Sequence, residues 1–186
     1  VATPLVSNIV DWDEYTGRFE ALERVEVRSR VSGYVDSVNF SDGQMASAGD
    51  LLYVIDPRPF EAALAGARAN LDATMAERDL AYLDVERAES LAGTRAIPQS
   101  ELDERRTAVS SAEARVAAAR AALRAAELEL EFTEVRASIS GRISDRKVDV
   151  GNLVSGGSVE ATLLATIVSL DPIYFVFDAS EADFLK

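Results

Sequence analysis

From Pro59 to about Thr133 the apolar positions recur at intervals of three and four residues. In the second part of this stretch Leu102, Val109, Val116, Leu123 and Leu130 are spaced by seven, and Ala112, Ala119 and Ala126 follow the middle three at a distance of three. That is a heptad seam with apolar a and d positions, which predicts a long helix packed lengthwise on a helical partner. The first part carries Leu64, Leu71 and Val85 in one register and Ala67, Ala81 and Ala88 in the other, interrupted at Thr74 and Arg78. Only Gly93-Thr94-Arg95-Ala96-Ile97-Pro98 separates the two parts, so the arms are expected to fold back as an antiparallel coiled-coil hairpin. With over thirty residues per arm, a rise of about 1.5 Å per residue makes the rod on the order of 50 Å long.

Outside the rod the period drops from about 3.6 to 2. Before it, Glu26-Val27-Arg28-Ser29-Arg30-Val31-Ser32-Gly33-Tyr34-Val35, Val38 to Phe40 and Leu51 to Ile55 read as short strands, with turns at Gly43 and Gly49. After it the same text returns 108 positions later as Glu134-Val135-Arg136-Ala137-Ser138-Ile139-Ser140-Gly141-Arg142-Ile143, with Gly43 falling on Gly151, Met45 on Leu153, Ser47 on Ser155 and Gly49 on Gly157. A fixed offset that matches Glu, Val, Arg, Ser and three glycines marks an internal repeat. Each copy reads as a small antiparallel sheet whose turns need positive φ at their glycines. One copy of about 30 residues would leave an apolar face and open strand edges in water, so the two are expected to pack as a pseudo-symmetric sandwich with the hairpin inserted between them. The second copy has extra residues from Gly156 to Thr162 before the strand Leu163 to Val168, and Asp56-Pro57 and Asp171-Pro172 are matching exits.

At the ends, Leu5 to Val10 and Tyr15 to Ala21 read as strands around the turn-prone Asp11-Trp12-Asp13-Glu14. Ile173 to Phe177 begins a further strand, and Ala179 to Lys186 resembles a helix start. These ends are expected to supply strands of a third module that is incomplete here. Trp12 is expected to cover a sheet edge or a joint between modules. Asp11, Asp13 and Glu14 lack the alternate spacing closed by a glycine and a distal Glu that a calcium loop needs, so they are a solvated turn.

Composition narrows the chemistry. With 48% apolar and 27% charged residues the chain is a folded protein, and its net charge of -13, from 19 basic and 32 acidic residues, repels polyanions. Arg115, Arg120 and Arg124 alternate with Glu113, Glu127 and Glu129, so no basic patch forms and no nucleic-acid partner is expected. Cysteine and histidine are both missing, which removes thiolate and imidazole metal sites and the Ser-His and Cys-His nucleophile pairs. No enzymatic activity, metal or cofactor is expected. No apolar run reaches the roughly 20 residues needed to cross a bilayer. No signal-peptide pattern opens the chain, so any export signal or anchor is expected outside it.

Val31-Ser32-Gly33-Tyr34-Val35, Gly43-Gln44-Met45-Ala46-Ser47-Ala48-Gly49-Asp50-Leu51-Leu52-Tyr53-Val54-Ile55-Asp56-Pro57 and Ser138-Ile139-Ser140-Gly141-Arg142-Ile143, set on either side of a helical hairpin, resemble the split lipoyl domain of the periplasmic adaptors, or membrane fusion proteins, of tripartite efflux pumps. Leu170-Asp171-Pro172-Ile173-Tyr174-Phe175-Val176-Phe177 looks most like the HlyD-like adaptors of the AcrA and MexA type, which serve resistance-nodulation-division (RND) transporters. The resemblance implies an α+β fold: a lipoyl-like β-sandwich split by a long antiparallel coiled-coil hairpin, with partial β-barrel strands at both ends. Its parts would be 1–25, strands of the barrel or membrane-proximal region; 26–57, the first lipoyl-like half; 58–133, the hairpin; 134–172, the second half; and 173–186, the start of the barrel.

The resemblance also implies a periplasmic protein anchored at the inner membrane of a Gram-negative bacterium, part of a multidrug-resistance efflux pump. Its partners would be an inner-membrane RND transporter, a TolC-type outer-membrane channel, and further copies of itself in a ring, a hexamer by family resemblance. The family's hairpin tip contacts the channel through an Arg, a Leu four residues on and a Ser seven beyond that. Arg87 and Leu91 match, the third place is Pro98, and Ser100 stands nearby. An adaptor for an ABC or major-facilitator exporter is the alternative within the family.

A lipoyl or biotinyl carrier needs a lysine at the tip of its β-turn. None occurs between Val38 and Leu52, and Lys147, the lysine of the second copy, is expected on a strand. The heptad register places Leu80 and Arg87 at c, Leu83 at f and Leu91 at g, away from the partner arm, so Leu80 and Leu83 are candidates for lateral packing against another chain. The outer alanines of the second arm, Ala114, Ala117, Ala118, Ala121 and Ala125, would allow close approach. A plain structural coiled coil leaves the two matched β segments unexplained.

Overall fold

The computed structural model describes residues 14–93, 97–157 and 160–179. The expected strand over 5–10, Trp12 and the acidic pair at 11 and 13, the tip residues 94–96 and the helix start over 180–186 lie outside the described residues.

Two helices form the rod: α1, Arg58–Gly93, and α2, Gln99–Glu131. Asp56 starts α1 by accepting a hydrogen bond from the Arg58 backbone N–H at 3.1 Å, Pro59 sits in the first turn where no N–H is needed, and Glu61 faces the positive helix end. The Arg58 guanidinium binds the same carboxylate at 2.6 Å and holds it below its ordinary pKa. The arms meet along the expected seam, with Leu102, Ala112, Val116, Ala119 and Ala126 buried and Val109, Leu123 and Leu130 half-buried. Facing them on α1 are Leu64, Ala67, Leu71, Ala81 and Val85, half-buried, and the buried Ala88. Thr74 and Arg78 do not interrupt the packing. Both are half-buried in line with the seam; the Thr74 hydroxyl donates to the Leu71 carbonyl at 2.9 Å, and the Arg78 head reaches Asp79 at 2.6 Å over a buried stem.

The strands are β1 Gly17–Ala21, β2 Arg24–Arg28, β3 Gly33–Val38, β4 Met45–Ala46, β5 Leu51–Ile55, β6 Glu134–Arg136, β7 Gly141–Ile143, β8 Leu153–Val154, β9 Leu163–Val168 and β10 Ile173–Phe177. They form two four-stranded sheets ordered β2-β9-β7-β4 and β6-β5-β3-β8, and the separate pair β1-β10. Under the repeat, β2, β3, β4 and β5 correspond to β6, β7, β8 and β9, so the two sheet orders are the same order with the halves exchanged. Each sheet therefore takes two strands from each copy. The expectation that each copy makes its own small sheet is corrected on this point. The two-residue strands β4 and β8 are too short to hold a sheet edge by local pairing, and they find partners in the other copy, Met45 with Arg142 and Leu153 with Tyr34.

The hydrogen bonds repeat with the sequence. Ile143 N–H donates to the Gln44 carbonyl and Val35 N–H to the Asn152 carbonyl, both at 2.9 Å and related by the same offset. Between the sheets lie Val35, Leu52, Tyr53, Ile55, Ile143, Val154, Leu164 and Ile167, all essentially inaccessible to water. Gly43, Gly49, Gly151 and Gly157 have φ of 77°, 94°, 87° and 75°, the left-handed turns expected of matched glycines.

Two local expectations are corrected. The strand placed at Val38 to Phe40 is the end of β3, which closes at Val38, after which the chain turns. Lys147 is not on a strand but in a bend between β7 and β8, because β7 ends at Ile143 and Arg146 is drawn to Asp42 in the other copy, its backbone N–H donating to the carboxylate at 3.1 Å. The rod is fixed to the sandwich at its base: Ile55 N–H donates to the Thr133 carbonyl at 2.9 Å, so the exit to α1 and the return from α2 lie side by side. Phe60 and Phe132 pack against the core, and the Arg30 guanidinium stands 4.9 Å over the Phe132 ring.

Candidate functional site

Two surfaces of the molecule stand out: the far end of the rod and its outward flank. At the far end, Arg87 lies within the last two turns of α1, its guanidinium paired with Asp84 one turn earlier and otherwise open to solvent. Leu91 follows a turn later and is exposed. Pro98 is the N-cap of α2 with φ -64° and ψ 152°, extended values that suit proline, and its carbonyl accepts from Glu101 N–H at 3.2 Å. Ser100 is exposed in the first turn of α2. The hairpin thus brings Arg87, Leu91, Pro98 and Ser100 to one end of the rod, two from each arm. They present a cation, an apolar side chain and a hydroxyl, which suit docking against a protein surface rather than bond-making chemistry.

Along the flank, Leu80 is 56% exposed and Leu83 53%. At about 25 cal/mol per Å², side chains this open leave apolar surface in contact with water. The alanines at 114, 117, 118, 121 and 125 are exposed on α2, as the register requires.

The heptad pattern left unread the side chains that lace the arms together. Arg106 reaches Glu89 at 2.8 Å, Arg115 reaches Glu77 at 3.4 Å, and the Tyr82 hydroxyl binds Glu113. The pairing runs in opposite chain order, 77 with 115 and 89 with 106, which makes the arms antiparallel. Opposite charges at e and g positions flanking the seam were the available signal. The bond to Glu113 raises the pKa of Tyr82.

At the other end, β1 and β10 form a two-stranded ribbon with Phe19, Ile173, Tyr174, Phe175 and Phe177 all exposed. Phe19 meets Phe175 at 5.2 Å between ring centres, but such a ribbon is marginal alone.

Among the described residues no three His, Cys, Asp or Glu side chains gather as a metal site, and no helix is long and apolar enough to cross a membrane. Lys147 binds Asp145 at 2.9 Å and holds that carboxyl below its usual range. Burial pushes the Tyr53 phenol up to about 12, and its hydroxyl donates to the Leu164 carbonyl at 2.9 Å, a structural bond.

Residues 23–166 match the family model described as RND MFP, barrel-sandwich hybrid domain. The chain is 38% identical over 183 residues to the multidrug resistance protein MdtA of Proteus mirabilis, covering 98% of this chain and 44% of that protein. It is 40% identical over 173 residues to the multidrug efflux pump subunit AcrA of Escherichia coli K12, covering 93% of this chain and 43% of that one. The chain therefore spans less than half the length of these curated relatives. Among solved structures, a MacA-MexA chimera carrying the α-hairpin of Pseudomonas aeruginosa MexA is similar, with a TM-score of 0.67 and 25% identity over 92% of this chain and 57% of that one. The Spr0693 membrane fusion protein of Streptococcus pneumoniae shares the fold, at a TM-score of 0.68.

Proposed function

From the premise that the chain belongs to the RND membrane fusion proteins, we propose that it is the rod-and-sandwich part of a periplasmic adaptor in a tripartite multidrug efflux pump. The far end of the rod docks on a TolC-type outer-membrane channel, through Arg87, Leu91, Pro98 and Ser100. Neighbouring copies pack side by side, with Leu80 and Leu83 on the contacting flank, and their sandwiches form a ring around a conduit. The β1-β10 ribbon continues into a β-barrel, and that barrel together with a membrane-proximal region, 1–25 and 173–186 being their beginnings, engages the inner-membrane RND transporter. The protein is held at the inner membrane and works without catalysis. Its contribution is geometric: a rod of fixed length spans part of the periplasm, and adjacent rods seal a tube.

The observation that carries this is the combination of a rod rooted in both halves of one sandwich with leucines left half-exposed on its outward flank and end. A solitary coiled coil would bury or replace them. Drug susceptibility of cells producing the full-length protein tests it: Arg87→Asp and Leu91→Asp are each expected to abolish resistance at unchanged protein level and unchanged circular dichroism. Full resistance in both variants would overturn the docking role.

A further inference from the structure

The two matched turns of the sandwich differ in their chemistry. Ser41-Asp42-Gly43-Gln44 corresponds under the repeat to Asp149-Val150-Gly151-Asn152. Both turns close with the same bond, Gln44 N–H to the Ser41 carbonyl at 3.0 Å and Asn152 N–H to the Asp149 carbonyl at 3.2 Å. Both glycines have positive φ, with nothing within 4 Å of the place a Cβ would take. Before the glycine, however, one turn has aspartate and the other valine. Asp42-Gly43 is the single Asp-Gly step in the 186 residues, which contain no Asn-Gly step.

The glycine amides differ as well. Gly151 N–H donates to the Val35 carbonyl at 2.8 Å, whereas the equivalent bond from Gly43 to Ile143 is not made, and among the described residues the Gly43 N–H donates to nothing. Asp42 and Gly43 are both exposed. The Asp42 carboxylate accepts from Arg146, from its backbone N–H at 3.1 Å and its Nε at 3.3 Å. A carboxyl one residue ahead of an uncommitted amide nitrogen, with no β-carbon to crowd the approach and water at hand, is what closure of a succinimide ring needs.

We propose that Asp42-Gly43 is a site of spontaneous modification, at which the aspartate converts to isoaspartate. The Gly43 nitrogen attacks the side-chain carboxyl carbon of Asp42 in its neutral acid form. A C–N bond forms there, and the amide proton and the carboxyl hydroxyl leave as water, closing the ring. Water then adds to the ring's main-chain carbonyl, the bond from that carbon to the Gly43 nitrogen breaks, and the chain now runs through the side-chain carbon. Nothing is oxidised or reduced, and the water lost in the first step is regained in the second.

The consequence falls on the joint between the two copies. Arg142 Nε donates to the Gly43 carbonyl at 3.1 Å, Ile143 N–H to the Gln44 carbonyl at 2.9 Å, and Met45 pairs with Arg142 across β4 and β7. An isoaspartyl residue adds a methylene to the main chain at this point and moves the carboxylate onto the α-carbon. The bonds from Arg146 are then lost, and β4, a strand of two residues, is pushed out of register. The valine turn is immune, so the halves age unequally. Arg146 is the brake, because its two bonds must break before the carboxyl can turn onto the Gly43 nitrogen.

Full-length protein aged in warm neutral buffer and digested with trypsin tests this on the peptide 31–68, which ends at Arg68 because Pro59 blocks cleavage after Arg58. A second form of equal mass is expected to grow with time, to be placed at residue 42 by electron-transfer fragmentation, and to accept a methyl group from isoaspartyl methyltransferase. Asp42→Glu, which keeps the charge but would need a larger and slower-forming ring, should lose the second form. Arg146→Ala should accelerate its growth several-fold; an unchanged or slower rate would take the brake away from Arg146. No second form in the folded protein, whether or not the urea-unfolded chain accumulates one, would overturn the proposal. So would a second form that persists undiminished in Asp42→Glu.

Discussion

Gly141 opens β7 pressed so closely on Val168 of β9 that a side chain at position 141 would be driven into the Val168 carbonyl. Its counterpart Gly33 stands in the same relation to β5, where a Cβ would come within 2.7 Å of the Ile55 side chain. The two glycines are the points at which the second strand of each copy leans on the strand that closes it, and both crossings lie within the shared body. At Gly141 close backbone approach, rather than turn geometry, is what requires glycine; at Gly33 the neighbour is the Ile55 side chain.

A contrast between two kinds of glycine follows. Gly141→Ala must displace backbone and is expected to destabilise by about 3 kcal/mol, the upper end of overpacking costs. Gly43→Ala has open space but a φ of +77°, and should cost about 1 kcal/mol through strain alone. Urea midpoints would separate them; equal midpoints would contradict the close approach.

The rod offers a second contrast. Leu102 is 5% exposed in the seam near the far end, and Leu102→Ala should destabilise the hairpin by about 2–3 kcal/mol. Leu83→Ala, on the outward flank, should leave the isolated chain's stability within about 0.5 kcal/mol while weakening association. Thermal unfolding paired with sedimentation reads both quantities, and a large stability loss for Leu83→Ala would place that side chain in the fold rather than at an interface.

Alkaline pH should act through Tyr53. Its folded pKa, pushed up by burial to about 12, exceeds the ordinary 10.0, so the folded state holds the proton more tightly than the unfolded one. Its contribution is complete below pH 10 and is lost as pH rises from there toward 12. Tyr53→Phe should remove that part of the alkaline decline and cost about 1 kcal/mol at neutral pH through the lost bond to Leu164. Phenolate absorbance during an alkaline titration checks this, an ionisation well above the ordinary 10.0 being expected in the parent and lost in Tyr53→Phe.

The ion pairs lacing the arms are exposed and should be weak. A double-mutant cycle on Glu89 and Arg106 is expected to give a coupling of about 0.5 kcal/mol that fades in molar salt. Several times that value, unaffected by salt, would show that the pair sets the register rather than decorating it.

Much of the site was legible without coordinates, for local reasons. Helical periodicity decides by itself which side chains face the partner arm, so the burial of Val116 and the exposure of Leu80 followed from spacing. The end residues Arg87, Leu91, Pro98 and Ser100 came from family resemblance instead, since nothing in their own chemistry separates them from other surface residues. The lacing pairs Glu89 with Arg106 and Tyr82 with Glu113 required the relative register of the arms, which the heptad spacing within either arm does not supply.

By itself the amino-acid order determined the rod, the matched glycine turns and the twin segments on either side, because helix period and left-handed φ depend on near neighbours. Only the tertiary structure decided that the twins exchange strands, so that each sheet is half one copy and half the other. The ladder bonds joining Gln44 to Ile143 and Val35 to Asn152 link residues about a hundred positions apart. Alternation tells which face of a strand is wet, but the edge it pairs with is chosen by where the rest of the chain comes to lie.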